Sequence, residues 1–501
     1  MRGYGPLFDE PPPVRSIASL PFYPWLVVGT VCVGAFLGQL DASIAGLVLP
    51  TLEETFAAPV AALAWVAIAY LVALAALVVP FGRLADLAGR KLLYTSGFVV
   101  FIVGSALCGL APGLGWLIAF RILQAVGAAM LQANSVAIIT ATVVRRRLGR
   151  AIGIQGAAQA IGLSVGPSVG GFLIDALGWR WVFFIAVPFG LLGTLLAWLV
   201  LPCTESTAPR TEERFDWLGA LLLGPSVTLV LLALTFANEW GWSSPRLLGV
   251  SILAAVCLGG FLATERRAAH ALVDMRLFGS RTFSIGILAG LLSYSVLFGS
   301  LFLVPFYLER VLGRTAAEAG LLLTPIPLAL GIMAPVAGLL TDRFGARLPT
   351  VVGMLLTAAA LLAVAAFAGD ALWPMLVLLG VLGVGLGLFT PPNNSAIMGS
   401  APPHRLGVAG GILNMTRSLG TSLGVALTGA LLAVLLSSQA GEQVQSTLNL
   451  DPTTLGLACR QTLLFLAALA AIAGLLSAVR GAPMEDVVQP HHTPVTESLG
   501  V

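Results

Sequence analysis

The chain contains fourteen apolar runs, and each is close to the ~20 residues that an α-helix needs to cross a bilayer. Only 10% of the 501 residues are charged, whereas soluble globular proteins carry about 25%. A surface that faces water on all sides cannot be built from so few charges. The sequence therefore predicts an all-α polytopic membrane protein with spans at 25–49, 61–81, 92–110, 114–136, 151–174, 180–202, 217–237, 246–264, 282–306, 318–340, 349–368, 371–391, 407–434 and 459–480.

The polar composition excludes several kinds of site. Lys91 is the only lysine and is followed by leucine, so a phosphate-binding GxxxxGK[ST] loop cannot form. All four histidines fall outside the predicted spans, and the five cysteines are scattered without CxxC or metal-ligand spacing. We therefore expect no cofactor, no metal site, no ATP binding and no nucleic-acid partner.

The positive charges between the runs alternate strongly from one side to the other. With the N-terminus in the cytoplasm, nineteen of the 26 arginines and lysines lie on the cytoplasmic side, five lie outside and two lie within spans. Cytoplasmic loops of membrane proteins carry such an excess. The pattern predicts a multi-pass protein of the cell membrane with both termini in the cytoplasm, and we expect it to be a monomer.

No segment between the runs is long enough for a soluble domain, but a repeat divides the chain. A Gly/Asp/Gly pattern recurs at an offset of 256 residues, so that Gly82, Asp86 and Gly89 return as Gly338, Asp342 and Gly345. We therefore predict two similar six-helix halves around a central site, which suits alternating access. The expected units are a disordered cytoplasmic tail (1–24), a first half (25–202), an inserted helix pair with its loops (203–281), a second half (282–480) and a cytoplasmic C-terminal tail (481–501).

The repeated segments, expected as loops after the second and tenth spans, are dense in glycine and charge. Glycines there allow a close helix approach and a tight turn, and Asp86 can pair with Arg83, Arg90 and Lys91 on the cytoplasmic face. Anchoring by positive charge alone does not need this spacing twice. We therefore predict conformational latches made by Gly82, Asp86, Gly89 and Arg90 and by Gly338, Asp342 and Gly345.

Four stretches together resemble the major facilitator superfamily and, within it, the fourteen-helix drug–proton antiporters of the multidrug efflux type. The segment after the second span resembles GxLaDxxGRK, and Leu40–Pro50 resembles LDxTIVNVALP. Arg121–Ala129 resembles RxxQGxGaA of the fourth helix, and Gly162–Gly171 matches GxxxGPxxGG of the fifth helix at every fixed position. The resemblance implies a major facilitator fold with fourteen transmembrane helices. The departures from it are Leu87 for Arg, Gly46 for Asn, Ser43 for Thr and Ala125 for Gly.

The fifth-helix stretch also has a direct physical interpretation. Its glycines recur every four residues and so lie on one helix face, where another helix can approach closely. The proline among them removes a backbone donor and bends the helix. We predict a helix seam that moves during function, made by Gly162, Gly166, Pro167, Gly170 and Gly171.

Asp41 is the only acidic residue that the sequence places deep inside a span. An ionisable group there is costly, so a functional role is the default. Arg121 lies at a matching depth of ~10 Å in the fourth span. We predict a proton-coupling pair in which Asp41 carries the proton and Arg121 favours its carboxylate form. A purely structural ion pair is the alternative.

Further side chains are candidates for a substrate cavity. Arg417 lies ~15 Å into the thirteenth span, and Asn414 precedes it by one turn. Tyr294 and Phe298 share a face of the ninth span. The alternatives are a structural tie from Arg417 to backbone carbonyls and an aromatic packing stripe. We predict a cavity that includes Gln124, Tyr294, Phe298, Asn414 and Arg417.

Together these features favour a secondary active exporter, not an enzyme, that exchanges protons for an amphipathic small molecule within the lipid bilayer. The same fold exporting one metabolite, siderophore or biosynthetic product is the nearest alternative, and a membrane-embedded enzyme or a channel is a remote one. Glu309 is expected at the outer rim, so the ionisable side chains within the spans carry a net positive charge. We therefore predict neutral, zwitterionic, anionic or monocationic substrates.

Overall fold

The computed structural model describes residues 10–44, 48–56, 58, 60–204, 215–268, 271–314, 316–366, 372–440 and 452–480. These residues form helices and the turns between them, and no strand occurs among them. In this described part, fourteen helices are long and apolar enough to cross a membrane. The predicted all-α polytopic fold is therefore confirmed.

We label the fourteen long helices α1–α14. The first six are α1 (Tyr23–Ile44), α2 (Trp65–Ala88), α3 (Arg90–Gly109), α4 (Leu114–Thr142), α5 (Leu148–Leu177) and α6 (Ala186–Val200). The inserted pair is α7 (Trp217–Trp240) and α8 (Pro245–Glu265). The last six are α9 (Arg281–Phe306), α10 (Pro325–Phe344), α11 (Arg347–Ala366), α12 (Leu372–Gly399), α13 (Leu406–Ala440) and α14 (Pro452–Ala478).

Short elements connect these helices. The short α-helices are Arg15–Ala18, Leu49–Phe56, Val60–Leu63, Trp181–Phe184 and Ala316–Leu323. The 3₁₀ turns are Arg145–Arg147, Met275–Gly279 and Pro403–Arg405, and α9 continues into a π-helical turn at Tyr307–Val311.

Two glycines end α2 and α10 at equivalent places. Gly89 has φ +115° and Gly345 has φ +76°, a left-handed backbone that glycine adopts without steric cost. The helices continue up to these residues, so the predicted loop at Gly82–Lys91 is wrong over 82–88 and the one at Gly338–Arg347 is wrong over 338–344, since both stretches are helical. A single glycine among alanines and leucines costs about 1 kcal/mol in a helix, and helix packing outweighs that cost here.

The first six and the last six helices pack in the same pattern. The contacting pairs in the first six include α1–α5, α1–α6, α2–α4, α3–α4 and α3–α6. The equivalent pairs recur in the last six as α9–α13, α9–α14, α10–α12, α11–α12 and α11–α14. Across the two sets, α2 packs on α13 and α5 packs on α10, and the repeat relates these two pairs to each other. The repeat in the sequence therefore corresponds to a repeat in packing.

The inserted helices α7 and α8 pack mainly on each other, and α7 also contacts α2 and α13. Asp216 and Ser244 cap the N-termini of α7 and α8 by accepting from backbone N–H groups three residues on. The outer face of α8 exposes large apolar side chains such as Leu248 and Ile252. Such a face is suited to a lipid environment.

Residues 10–22, before α1, are held against the protein, contrary to the disorder predicted there, and residues 1–9 of the predicted tail lie outside the described residues. The Glu10 carboxylate accepts hydrogen bonds from the backbone N–H groups of Leu92, at 3.1 Å, and of Thr204. Lys91 donates to the carbonyl oxygen of Pro11 at 2.8 Å. One glutamate that caps a helix about 80 residues away in sequence leaves no local pattern, which is why the sequence did not reveal the contact.

Candidate functional site

A buried ion pair joins α1 to α4. The Arg121 Nη1 atom donates to both carboxylate oxygens of Asp41, at 2.9 Å each. Gln124, one turn further along α4, donates to Asp41 Oδ1 at 2.9 Å and accepts from Arg121 Nη1 at 2.7 Å. Asp41 is 9% exposed, and Arg121 is 1% exposed. The matching depths predicted from the sequence thus correspond to direct contact.

Helix α2 completes the surroundings of the pair. The Arg121 guanidinium lies 4.2 Å from the centre of the Tyr70 ring, and its Nε atom donates to the Val66 carbonyl at 3.2 Å. The Tyr70 hydroxyl is buried close to the Asp41 carboxylate. Because little water reaches this site, the interaction between the two charges is strong. Gain or loss of a proton by the carboxylate would therefore alter the packing of three helices.

A pocket lies between the first six and the last six helices. The empty space of about 270 Å³ there includes open solvent, and the enclosed cavity itself has room for only about one water molecule. Its polar groups are amides, a hydroxyl and one guanidinium, and no carboxylate is among the lining residues that the structure describes. The lining residues are Gly34, Ala35, Gly38 and Gln39 of α1, Leu131, Gln132 and Ser135 of α4, Gln159 of α5 and Arg417 of α13.

Gln132 connects the pocket to α13. Its side-chain oxygen accepts a hydrogen bond from Arg417, and its backbone oxygen accepts one from Asn414 at 2.9 Å. Sequence reasoning identified Arg417 and Asn414 but missed Gln132, Gln39 and Gln159. Each of these three glutamines is an isolated amide side chain in an otherwise apolar span. Such residues are too common in helices to indicate a cavity from the sequence.

Four of the five predicted cavity residues are not among the lining residues, and of these Asn414 is linked to the pocket by its hydrogen bond to Gln132. Gln124 is fully buried within the ion-pair network. Phe298 packs against the apolar core of the last six helices, as the packing alternative holds, and the Cβ atom of Tyr294 lies against Gly420 of α13. Glu309 falls on the π-helical turn, and its side chain lies outside the described part of the chain.

The first capping contact joins α2 to α13 at the end of the bundle that carries most arginines, which we call the basic end. Asp86 accepts from the backbone N–H groups of Gly407, at 2.9 Å, and Val408, at 3.1 Å. A Cβ atom on Gly82 would lie only 2.2 Å from the Gly407 carbonyl oxygen, so the two backbones touch. An acid from α2 thus satisfies the free N–H groups that begin α13. Arginines near this end include Arg83, Arg90, Arg147, Arg150, Arg343 and Arg405.

Arg90 extends the first capping contact. Its guanidinium pairs with Asp86 at 2.8 Å and also donates to the Pro403 carbonyl at 2.7 Å. Lys91, predicted to join the same charge cluster, donates to Pro11 instead. Gly89 leaves room for the side chain of Glu10, because a Cβ atom there would lie 2.2 Å from a Glu10 carboxylate oxygen.

The second capping contact joins α10 to α5 and repeats the geometry of the first. Asp342 accepts from the backbone N–H groups of Gly149, at 2.8 Å, and Arg150, at 3.0 Å. A Cβ atom on Gly338 would lie 2.3 Å from the Gly149 carbonyl oxygen. Both capping contacts bridge the first and the last six helices. The sequence could not reveal either pairing, because each aspartate accepts from backbone N–H groups that every residue except proline carries.

The predicted seam lies between α5 and α1, within the first six helices. A Cβ atom on Gly162 would lie 2.6 Å from the Phe36 carbonyl oxygen, and one on Gly166 would overlap Ser43 Oγ. Gly170 is also buried, whereas Gly171 has open space beside it. Pro167 lies inside α5, and its side chain is outside the described part. The predicted close approach is therefore present at Gly162 and Gly166.

Sequence reasoning missed a second run of small residues earlier in α5. A Cβ atom on Gly153 would lie 2.5 Å from the Ala334 carbonyl oxygen of α10, and one on Gly331 of α10 would lie 2.8 Å from Ala160 Cβ. Helix α5 therefore uses one stretch of small residues against α1 and an earlier one against α10. Small residues at such crossings let membrane helices approach closely.

Comparison with known families gives a match over most of the chain. The family model described as Major Facilitator Superfamily matches residues 31–425 and 286–490. The chain is 34% identical over 403 residues to the riboflavin transporter RibZ of Clostridioides difficile (strain 630), an alignment that covers 80% of this chain and 87% of that protein.

Two further relatives are named for resistance. The tetracenomycin C resistance and export protein of Streptomyces glaucescens is 34% identical over 434 residues, covering 85% of this chain and 79% of that protein. The multidrug resistance protein Stp of Mycobacterium tuberculosis (strain H37Rv) is 33% identical over 408 residues, covering 81% of this chain and 75% of that protein.

Solved structures share the fold at low sequence identity. The human organic anion transporter MFSD10 superposes with a TM-score of 0.64 at 14% identity, covering 92% of this chain and all of that one. The proton:xylose symporter XylE superposes with a TM-score of 0.59 at 16% identity, covering 90% of this chain and 94% of that one.

Proposed function

The chain belongs to the Major Facilitator Superfamily, and we propose that it is a proton-coupled exporter of amphipathic small molecules, of the multidrug efflux type. Its relatives are transporters, so it is a multi-pass membrane transporter and not an enzyme. The observation that carries the proton-coupling proposal is the buried network of Asp41, Arg121 and Gln124.

In this proposal Asp41 carries the proton. As a carboxylate it is held by Arg121 and Gln124. A proton neutralises it and leaves Arg121 as a buried cation without a counter-charge, a state that costs about 3–5 kcal/mol when a buried pair is broken. The protein relieves that cost by moving α1 relative to α4.

The same two helices line the pocket, and this supports coupling between proton and substrate. Gln39 lies two residues before Asp41 on α1, and Gln132 lies eleven residues after Arg121 on α4, or ~16 Å along the helix. Movement of α4 changes the hydrogen bonds that Gln132 accepts from Asn414 and Arg417. Protonation at one depth therefore alters the pocket at another.

Alternating access supplies the transport step of the proposal. The first half (25–202) and the second half (282–480) rock about the pocket, with the basic end in the cytoplasm of a cell-membrane protein whose termini are both cytoplasmic. The two capping contacts act as latches that close the cytoplasmic side, and the contact of Gly162 and Gly166 with α1 is the moving seam. The protein works as a monomer.

The pocket lining supports a substrate class. Arg417 contributes a positive charge, and amides and a hydroxyl contribute neutral hydrogen-bonding groups. A dication would meet like charge in surroundings that screen it weakly. We propose neutral, zwitterionic, anionic or monocationic amphipathic substrates. Export of one metabolite is the second candidate, since two relatives are named for riboflavin and tetracenomycin C.

The test is efflux by cells that lack their main exporters, with and without a protonophore. The screen includes ethidium as a monocation, a bis-quaternary analogue, riboflavin and an aromatic polyketide. We expect Asp41→Asn to reduce proton-driven efflux to background, because the amide cannot exchange a proton at this site. Asp41→Glu should retain part of the activity with a shifted pH optimum.

Asp175→Asn is the matched control, since Asp175 is an exposed carboxylate on α5 in the same six helices. It should export at the normal rate. Thermal unfolding of purified Asp41→Asn separates a folding defect from a coupling defect. Normal proton-coupled efflux by Asp41→Asn would remove Asp41 from the mechanism, and preference for the bis-quaternary compound would contradict the substrate class.

A further inference from the structure

Two acidic side chains meet at the base of the inserted helix pair, far in sequence from the Asp41 site. Asp216 caps α7, and its Oδ1 atom accepts from the Gly219 N–H at 2.8 Å. Glu265 is the last residue of α8 and is 3% exposed. Its Oε1 atom accepts from the backbone N–H of Val273, in the segment that leads to α9. Each carboxyl group thus uses one oxygen on the backbone.

The second oxygen of each carboxyl group is buried and has no hydrogen-bond partner among the described residues. These atoms are Asp216 Oδ2 and Glu265 Oε2. They converge on one point, because a Cβ atom on Gly219 would lie 2.6 Å from the first and 3.1 Å from the second. Both unpartnered oxygens therefore lie beside Gly219, and the side chains of Asp216 and Glu265 are within hydrogen-bonding reach of each other.

The surrounding charges do not neutralise this pair within the described residues. Arg266 and Arg267 follow Glu265 and are exposed. Asp274 turns its carboxylate to the N–H of Arg276 in the segment before α9. Helix α7 packs against α2 and α13. The charged groups at this end of those helices are Arg83 and Asp86 on α2, Arg90 just after α2, and His404 and Arg405 just before α13. Asp86 is already bound to Arg90 and to the start of α13.

A proton is the ligand that satisfies both oxygens. Two carboxylates that meet through buried oxygen atoms cannot both stay ionised, whereas one proton between them forms an O–H···O hydrogen bond. A divalent metal ion would need more oxygen ligands, and the described residues contain no group of three or more His, Cys, Asp and Glu side chains that could hold one.

We propose that Asp216 and Glu265 form a proton-binding site that fastens the start of α7 to the end of α8 and to the segment before α9. The bound proton lies between Asp216 Oδ2 and Glu265 Oε2. Loss of the proton leaves two facing negative charges, which separate and loosen the inserted pair. Helix α7 contacts α2 and α13, the two helices of the first capping contact, so protonation here affects a part of the bundle that moves in transport.

The first test is the pH dependence of thermal unfolding of the full-length purified protein in lipid nanodiscs. The folded chain holds a proton that the unfolded chain releases in the ordinary carboxyl range, so stability falls as pH rises. We expect the wild-type unfolding temperature to fall by several degrees between about pH 5.5 and about pH 8.5. Glu265→Gln keeps a hydrogen-bond donor at all pH values and should remove most of this fall.

Asp216→Asn provides a second variant, because its amide can donate to Glu265 and still accept from Gly219. It should flatten the pH profile as Glu265→Gln does. The double variant places two amides face to face without the carboxylate acceptor, so it should unfold at a lower temperature than either single variant. Glu239→Gln changes an exposed glutamate at the other end of α7 and should keep the wild-type profile.

Infrared difference spectra give a direct readout. A protonated carboxyl band that disappears as pH rises in the wild type should be absent from Glu265→Gln and from Asp216→Asn, and present in Asp41→Asn. An unchanged pH profile in both single variants, or a double variant as stable as the single ones, would overturn the shared proton. Loss of the band in Asp41→Asn would assign it to the Asp41 site instead and would also overturn the proposal.

Discussion

The two capping contacts share a backbone geometry but differ in charge. Asp86 and Asp342 each accept from two N–H groups at the start of a helix in the opposite six. The first also pairs with Arg90, and the Asp86 side chain is 1% exposed. The second has Ala346 at the position of Arg90, and Asp342 is partly exposed. The repeat has kept the close fit and the helix cap, whereas among the described residues only the first contact contains a side-chain ion pair.

This difference assigns distinct strengths to the two contacts. A helix cap alone contributes about 1 kcal/mol, and a buried carboxylate that also holds a guanidinium contributes more when one partner is removed. The first capping contact should therefore open with more difficulty than the second. If both must open in each transport cycle, the first limits the rate.

The largest expected effect removes the feature that the contacts share. Gly82→Leu and Gly338→Leu each place a side chain against a backbone carbonyl that cannot move aside, and overpacking of this kind costs about 3 kcal/mol or more. We expect both variants to lose transport by about tenfold or more, and spin-label distances across the basic end to increase. Gly29→Leu is the control, since Gly29 of α1 has open space. A defect in only one variant would show that the two capping contacts have different functions despite their common geometry.

A smaller effect separates the two contacts. Asp86→Ala leaves Arg90 unpaired and α13 uncapped, a loss of about 3 kcal/mol. Asp342→Ala only uncaps α5, a loss of about 1 kcal/mol. Amide hydrogen exchange measures each change locally. Amides at the start of α13 should exchange about 100-fold faster in Asp86→Ala, and amides at the start of α5 should exchange about fivefold faster in Asp342→Ala. Equal increases would mean that Arg90 adds nothing. Asp175→Ala should alter neither region.

The smallest effect comes from adding the missing charge. Ala346→Arg gives the second capping contact the residue that the first has at the equivalent position. Because Asp342 is partly exposed, we expect a gain of only about 0.5 kcal/mol. Slower exchange at Gly149 and Arg150 is the measurement, and Ala346→Gln controls for side-chain size. Faster exchange in the arginine variant would show that the two sites differ in shape as well as in charge.

The sequence predicted the fold and part of the site because those features depend on residue type and spacing. Fourteen apolar runs became fourteen helices. Asp41 and Arg121 were paired from their depth alone, since a buried charge needs a counter-charge. The repeat located Asp86 and Asp342 before their contacts were known.

Other features could not be predicted because their partners are backbone groups or small side chains. Nothing in the sequence around Gly407 or Gly149 indicates that an acid from another helix caps them. The helical conformation of 82–88 depends on packing against α13, which outweighs the weak preference of Gly82. Gln132 became recognisable only when the structure placed it between Asn414 and Arg417.

The contacts of Glu10 have a consequence for the order in which the protein is assembled during synthesis. Glu10 binds Leu92 and Thr204, so the nascent chain can complete this tie as soon as residue 204 has left the ribosome. The second capping contact must wait for Asp342, and the first must wait for Gly407. The three contacts therefore become possible in a fixed order during synthesis. The first six helices are secured while the rest of the chain is still being made, and the strongest bridge between the two sets is the last to form.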